Sequence, residues 1–173
     1  EVTTKAEIGG RLYTFKTDNS VFSKRGLDFG TRTLLESIDI KNISGDVLDF
    51  GCGYGPIGIY IKSNTSTNVD MIDINERALN LARKNAMLNN VDVNVFESNI
   101  YSNIDKKYDY IITNPPIRAG KSVYMKIIED GVNYLNEGGE LWFVMNKDHG
   151  AKTTIEKIKN VYDTEVVKKC KGF

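Results

Sequence analysis

The sequence predicts an α/β fold in which a parallel sheet is covered by helices on both faces. Three observations predict it. From Asp46 onward, short apolar runs rich in β-branched residues alternate with segments of helical periodicity. Several of the helical segments open on a start signal, a first-turn proline or a capping Asn or Ser. The chain has 173 residues, 40% of them hydrophobic, which suits one compact core rather than two. We therefore expect residues 1–173 to form a single domain, with 1–38 as an N-terminal extension and 46–173 as the core.

In chain order, Ala6–Thr17 reads as a small hairpin turning at Gly9–Gly10, followed by a loop over Asp18–Asp28 and a helix over Gly30–Ile38. The core strands are expected at Asp46–Phe50, Asn68–Asp73, Val91–Glu97, Tyr108–Thr113, Glu140–Met145 and Thr164–Cys170. Between them, Pro56–Ser63 starts with proline where its missing N–H costs nothing. Asn75 caps Glu76–Leu88, whose Ala78, Ala82 and Ala86 recur on one face. Ser122 is expected to cap a helix that buries Ile127, Ile128, Gly131 and Leu135, and Ala151–Tyr162 turns Ile155, Ile158 and Tyr162 inward.

Composition excludes several classes. The 23 basic and 23 acidic side chains cancel, so a nucleic-acid partner would have to be held by local patches rather than by a global field. No run approaches the roughly 18 apolar residues of a membrane span, and the N-terminus has no signal-peptide design. Two cysteines, Cys52 and Cys170, build neither a disulfide framework nor a zinc cluster; free thiols in the cytoplasm and no metal are expected. The chain begins at Glu1 rather than methionine, and the natural protein is expected to extend further.

The first core strand runs into Asp49-Phe50-Gly51-Cys52-Gly53-Tyr54-Gly55-Pro56-Ile57-Gly58. Alternate glycines at the carboxyl end of a parallel strand let backbone N–H groups approach a ligand. Gly53, Gly55 and Gly58 also fit the dinucleotide pattern G-x-G-x-x-G, with Asp73 where a ribose-binding acid would stand. Pattern alone leaves NAD and S-adenosylmethionine (SAM) both open. Charge favours SAM: Asp49 precedes the glycines, and no Lys or Arg lies between Asp46 and Tyr60 to neutralise a pyrophosphate. On that reading Asp49, Gly51, Gly53 and Gly55 hold the donor. Asp73 takes its ribose hydroxyls, Ile74 covers the adenine, and Asn99 bonds the adenine edge. Each position also has an ordinary reading, Asp73 as a helix-capping acid and Asn99 as a turn residue.

The fourth core strand ends in Asn114-Pro115-Pro116-Ile117. Two prolines stiffen the backbone and remove two donors, leaving the Asn114 side-chain oxygen and the Pro115 carbonyl as acceptors. Two acceptors suit an NH₂ group: taking both hydrogens turns the nitrogen lone pair out of conjugation and toward a methyl donor. No strong base is required, so the lone His149 need not take part. A bare Asn-Pro-Pro is usually a turn; its place at a strand end, about sixty residues after the glycine loop, makes it a site.

Together these residues resemble the class I SAM-dependent methyltransferases that modify amines, and most closely the small-domain bacterial ribosomal RNA guanine-N2 methyltransferases. The likeness spans nearly the whole chain and includes the run Ser20–Arg32 and Ile117-Arg118-Ala119-Gly120-Lys121. It implies a doubly wound, Rossmann-like sheet with SAM as donor, and methyl transfer to N2 of a guanine in 16S ribosomal RNA, free or in the small subunit. Asn114, Pro115, Pro116 and Ile117 would form the catalytic segment, with Phe22, Ser23, Arg25, Thr31, Arg118 and Lys121 on the substrate side. Adenine-N6 or protein-glutamine methylation, or a SAM-binding ribosome assembly factor without transfer, are the alternatives. Ile117 departs from the aromatic that many relatives place after Asn-Pro-Pro, so base stacking would fall to another residue such as Phe22. The sheet of this class ends in an antiparallel strand, and too little chain follows Thr164–Cys170 to form it. Every charge between Asn114 and Ile128 is basic (Arg118, Lys121, Lys126), and Lys24, Arg25 and Arg32 are expected on the same rim. Lys168, Lys169 and Lys171 read instead as a charged strand edge. A paired base would have to be extruded to reach Asn114.

Overall fold

The computed structural model describes residues 1–18 and 27–173. It opens with an antiparallel hairpin of β1 (Val2–Ile8) and β2 (Arg11–Thr17), paired from Val2 with Thr17 to Ile8 with Arg11. The turn is Gly9–Gly10 with φ of 60° and 82°, the left-handed pair that a tight hairpin turn needs. The hairpin starts four residues earlier than the sequence suggests, because Val2–Lys5 find ladder partners despite their polar pattern. Helix α1 (Phe29–Ser37) follows, with the Asp28 side chain accepting from Thr31 N.

The core alternates β3 (Asp46–Phe50), α2 (Pro56–Asn64), β4 (Asn68–Asp73), α3 (Glu76–Leu88), β5 (Asn94–Glu97), β6 (Tyr108–Thr113), α4 (Lys121–Asp130), β7 (Leu135–Phe143) and α5 (Ala151–Ile158). The five strands lie in the order β5-β4-β3-β6-β7, all parallel. The chain moves outward from β3 through β4 to β5, then crosses back to β6. That makes the β3/β6 boundary the topological switch point, where open α/β sheets bind ligands.

Strand alternation sorts the core into two faces. Val47, Met71 and Ile112 point into one cluster with Tyr13 and Phe15 of the hairpin, Leu34 and Leu35 of α1, Ile59 of α2 and Leu79 of α3. Leu48, Phe50, Ile72 and Ile111 point the other way, against Tyr101, Ile104 and Ile127. A third cluster of Tyr124, Met125, Ile128, Met145 and Ile158 joins α4 to α5. Helices thus cover both faces, as the alternation predicts.

Several boundaries differ for identifiable reasons. β5 begins at Asn94 rather than Val91, since only residues from Asn94 onward pair with β4. β7 begins at Leu135 rather than Glu140 and ends at Phe143: Tyr108 pairs with Leu135 and Tyr110 with Glu140, so Asn136–Gly139 bulge out of the ladder. Helix α4 starts at Lys121, and Gly120 precedes it with φ 100° and no side-chain cap, so Ser122 is not the cap. Helix α5 stops at Ile158, although Tyr162 still turns inward and donates from its hydroxyl to Ile128 O at 2.6 Å. The expected strand Thr164–Cys170 is absent: the segment pairs with no strand, and Val166 and Val167 lie 47% and 52% exposed. Without a strand there, Lys168, Lys169 and Lys171 are no strand edge. The chain instead closes a tight turn, with Cys170 and Phe173 exchanging backbone hydrogen bonds of 2.9 Å and Lys147 N donating to Gly172 O. Lys171 then stands over the Phe29 ring. Among the described residues no helix is long and apolar enough to cross a membrane.

One buried side chain ties the hairpin to the core. Asn85 of α3, 0% exposed, accepts from Lys16 N at 2.7 Å and donates to Lys16 O at 2.9 Å and to Tyr54 O at 2.7 Å. Asn89, one turn later, repeats the pattern on Thr14. Asn85→Ala leaves buried Tyr54 O and the half-buried N–H and C=O of Lys16 without this partner and should cost about 3 kcal/mol, read as a lower urea midpoint at unchanged m. A loss under about 1 kcal/mol would show that the hairpin is held in some other way.

Candidate active site

β3 and β6 end as ladder partners, Phe50 opposite Thr113, and in the interior Thr113 Oγ1 donates to Phe50 O at 2.9 Å. Two loops therefore leave the sheet side by side, one starting at Gly51 and the other at Asn114.

The first loop needs its glycines. Gly51, Gly53 and Gly55 have φ of 68°, 55° and 106°, a region costly for other residues. A Cβ on Gly51 or Gly53 would meet nothing within 4 Å, so the space above them is open. Gly58 serves differently: a Cβ there would lie 2.5 Å from Met71 Sδ and 3.0 Å from Asp49 Oδ2, so its bareness seats α2 against the sheet. Cys52 N donates to Ile72 O at 2.8 Å, and Gly53 N to Asp73 Oδ2 at 2.9 Å, fastening the loop to β4. Asp73 Oδ1 accepts from Asn75 N at 2.9 Å, and Asn75 caps α3 as its sequence position predicts. Asp73 is thus a loop anchor whose oxygens keep spare lone pairs. Next to it Ile74 is 62% exposed.

Asp49 is fully buried and faces α2, where its Oδ2 accepts from Gly58 N at 2.9 Å. Its Oδ1 is the one buried side-chain nitrogen or oxygen among the described residues with no partner. Burial, reinforced by the nearby Asp73 charge and opposed by the Gly58 N–H, raises the carboxyl's pKa to about 7. This refines the charge reading of the loop. Near neutrality Asp49 is therefore only partly ionised.

At the end of β5, Asn99 is exposed, and Ile100 sits at φ 55°, a strained position for a β-branched residue. Buried Ser98 holds it there: its hydroxyl donates to Ile100 O at 2.8 Å and accepts from Asn103 N at 3.1 Å. Nothing in the sequence pattern singles out Ser98.

In the second loop Pro115 is buried and Pro116 exposed. Pro116 O accepts from Ala119 N and starts a 3-10 turn over Ile117–Ala119. No described donor reaches Pro115 O. Asn114 Nδ2 donates to Asp28 Oδ2 at 3.0 Å and to Thr31 Oγ1 at 3.2 Å, while its Oδ1 has no partner among the described residues. Thr31 thus belongs to the site, and so does Asp28, which the sequence reading placed only in a loop. Its N-cap position, three residues before Thr31, was the available signal. Ile117 packs toward the cluster between α4 and α5. Arg118 and Lys121 are exposed just beyond it.

Of the basic residues expected on the rim, two are engaged elsewhere. Arg32 donates to Glu7 O at 2.7 Å and lies near Glu36, so it braces the hairpin rather than rimming the opening. Lys126 pairs with Asp130 at 3.5 Å. His149 is exposed on a 3-10 turn after β7. Phe22, Ser23, Lys24 and Arg25 lie outside the described residues. Among the described residues, no group of three or more His, Cys, Asp or Glu could hold a metal ion.

Known proteins match this arrangement. An uncharacterized Bacillus subtilis protein, YbxB, is 43% identical over 166 residues, 93% of this chain and 83% of that protein. The Colwellia psychrerythraea ribosomal RNA small subunit methyltransferase C is 36% identical over 171 residues, 96% of this chain but 47% of its own length. The chain spans about half the length of that relative. Among solved structures, the T. thermophilus 16S rRNA N2 methyltransferase RsmC, in complex with AdoMet and guanosine, superposes with a TM-score of 0.82 over 90% of this chain and 45% of that one. At 23% identity that likeness is one of fold. The profile of the methyltransferase small domain family matches residues 12–173, and the chain belongs to that family.

Proposed function

We propose that this chain transfers a methyl group from SAM to the N2 amine of a guanine in small-subunit ribosomal RNA. The observation that carries the reading is that two side-chain oxygens without a partner among the described residues lie on either side of the switch point: buried Asp49 Oδ1 on the glycine side and Oδ1 of half-buried Asn114 on the other. A buried acceptor without a donor costs free energy unless something brings one, and the donor's ammonium is of the right type. The open space above Gly51 and Gly53, together with the spare lone pairs of Asp73, fits the rest of that molecule. When bound, SAM supplies an activated methyl on a sulfonium. Asp49, Asp73 and the bare backbone at Gly51 and Gly53 would hold it, with Ile74 and Asn99 at the adenine.

The amine is managed by the chain itself. Asn114 Oδ1 and the Pro115 carbonyl accept its two hydrogens, and the lone pair is left directed at the methyl group. The proton released after transfer passes to water. Arg118 and Lys121, both exposed, would meet phosphates, and a paired base would be flipped out to reach the site. Support for RNA as substrate comes from the ribosomal RNA methyltransferases among the relatives. With Ile117 turned toward α4 and α5, stacking on the base must come from elsewhere.

Asn114→Ala should lower transfer at least about a hundredfold while SAM affinity stays within threefold by calorimetry. Full turnover by this variant would remove the mechanism. Nucleoside mass spectrometry of the modified RNA should show N2-methylguanosine, whereas N6-methyladenosine would reassign the base. The sign of the Asp49 shift sets two pH effects. Its folded pKa of about 7 lies above the usual 3.8, so the free protein loses stability as pH rises from about 4 through 7. Facing a cation requires the ionised form, so SAM should bind more tightly as pH rises from 5 to 7. Asp49→Asn should flatten both profiles. A pH-independent SAM affinity in the unmodified protein would place Asp49 away from the donor's cationic groups.

A further inference from the structure

Asparagine presents two opposite chemistries on one flat group, and a half-turn about its last bond exchanges them. An amine is received only if the oxygen, not the NH₂, points at it. The Asn-Pro-Pro segment itself does not decide this, since both orientations fit the same backbone. The decision comes from the first turn of α1, about 80 residues earlier in the chain. Both hydrogens of Asn114 Nδ2 are committed there, to Asp28 Oδ2 at 3.0 Å and Thr31 Oγ1 at 3.2 Å. The flipped amide would set its oxygen against a carboxylate oxygen at the same distance. Thr31 is itself oriented: its N–H and hydroxyl both donate to Asp28 Oδ2, at 3.1 and 3.4 Å, which leaves a hydroxyl lone pair for Asn114. Gly30 leaves room beside the pair: a Cβ there would stand 3.0 Å from the Phe173 ring, 3.2 Å from Asp28 Oδ2 and 3.3 Å from Asn114 Nδ2, and would push each by a few tenths of an ångström.

We propose that Asp28 and Thr31 are positioning residues that lock the Asn114 carboxamide with its oxygen toward the incoming amine. The inference rests on the reading that Asn114 receives the amine, and its tests separate the two. Asp28→Ser keeps a good helix cap on Thr31 N but is too short to reach Asn114. It should keep its melting temperature within a few degrees and SAM affinity within threefold, while kcat falls ten- to a hundredfold. The side-chain NH₂ signal of Asn114 in a ¹⁵N NMR spectrum, assigned by its disappearance in Asn114→Ala, should move in Asp28→Ser and Thr31→Val even without substrate.

Asn114→Asp alone sets two carboxylates about 3 Å apart and should lose activity. Thr31→Val removes the second acceptor but keeps the Asp28 cap on Thr31 N, and should lower kcat less than Asp28→Ser does. A role limited to capping α1 predicts wild-type kcat in both variants. Wild-type kcat in Asp28→Ser or an unmoved NH₂ signal overturns the lock. Full turnover in Asn114→Ala overturns the parent reading instead.

Discussion

The parallel pairing of β3 with β6 is the constraint on which the rest of the molecule depends. Parallel neighbours must end on the same side of a sheet, so the residue after Phe50 and the residue after Thr113 emerge together. The Thr113 hydroxyl on Phe50 O holds the two ends at one height. Two segments about sixty residues apart in the chain then leave the sheet side by side. Register matters equally, because side chains alternate with period two. Leu48 and Phe50 go to the α4 side, and Asp49 is carried to the α2 side, where the Gly58 N–H meets it. A slip of one residue would exchange those faces and leave a carboxyl among Tyr101, Ile104 and Ile127.

Local irregularities collect where this geometry meets its task. The carboxyl ends of β3 and β5 lead into three glycines at positive φ and Ile100 in a strained turn, and β3 itself carries a buried carboxyl oxygen without a partner among the described residues. Such violations persist when the surroundings over-determine them, and they cluster where a ligand is to be met. The surroundings do so here through backbone-directed bonds: Cys52 N to Ile72 O, Gly53 N to Asp73, and the Ser98 hydroxyl to Ile100 O.

Much of this was legible in the sequence, and the failures have physical causes. β3, β4 and β6 match their expected residues because adjacent apolar pairs, Val47-Leu48, Met71-Ile72 and Ile111-Ile112, mark strands buried on both faces. At the sheet edge the pattern misleads. Gly138–Gly139 looks like the turn before a strand but is a bulge within β7, and Thr164–Cys170 has strand composition without a partner to pair with. Asp49, the alternating glycines and Asn114 stand where their spacing implied. What spacing could not show is how distant groups are divided among partners. Asp28 reads as a loop acid until the fold carries it to Asn114, and Arg32 reads as a rim cation until the hairpin claims it.

Asn85 gives the hairpin a standing that its position at the margin of the chain conceals. A single carboxamide divides its bonds between the β2 backbone and the carbonyl of Tyr54, inside the glycine loop. The hairpin is therefore no detachable ornament on a self-sufficient core. A minimal fragment cut to begin at β3 would carry into its interior an amide whose intended partners had been removed. The smallest unit able to shape the glycine loop as seen here includes Lys16, and the boundary of cooperative folding runs outside the sheet rather than along it.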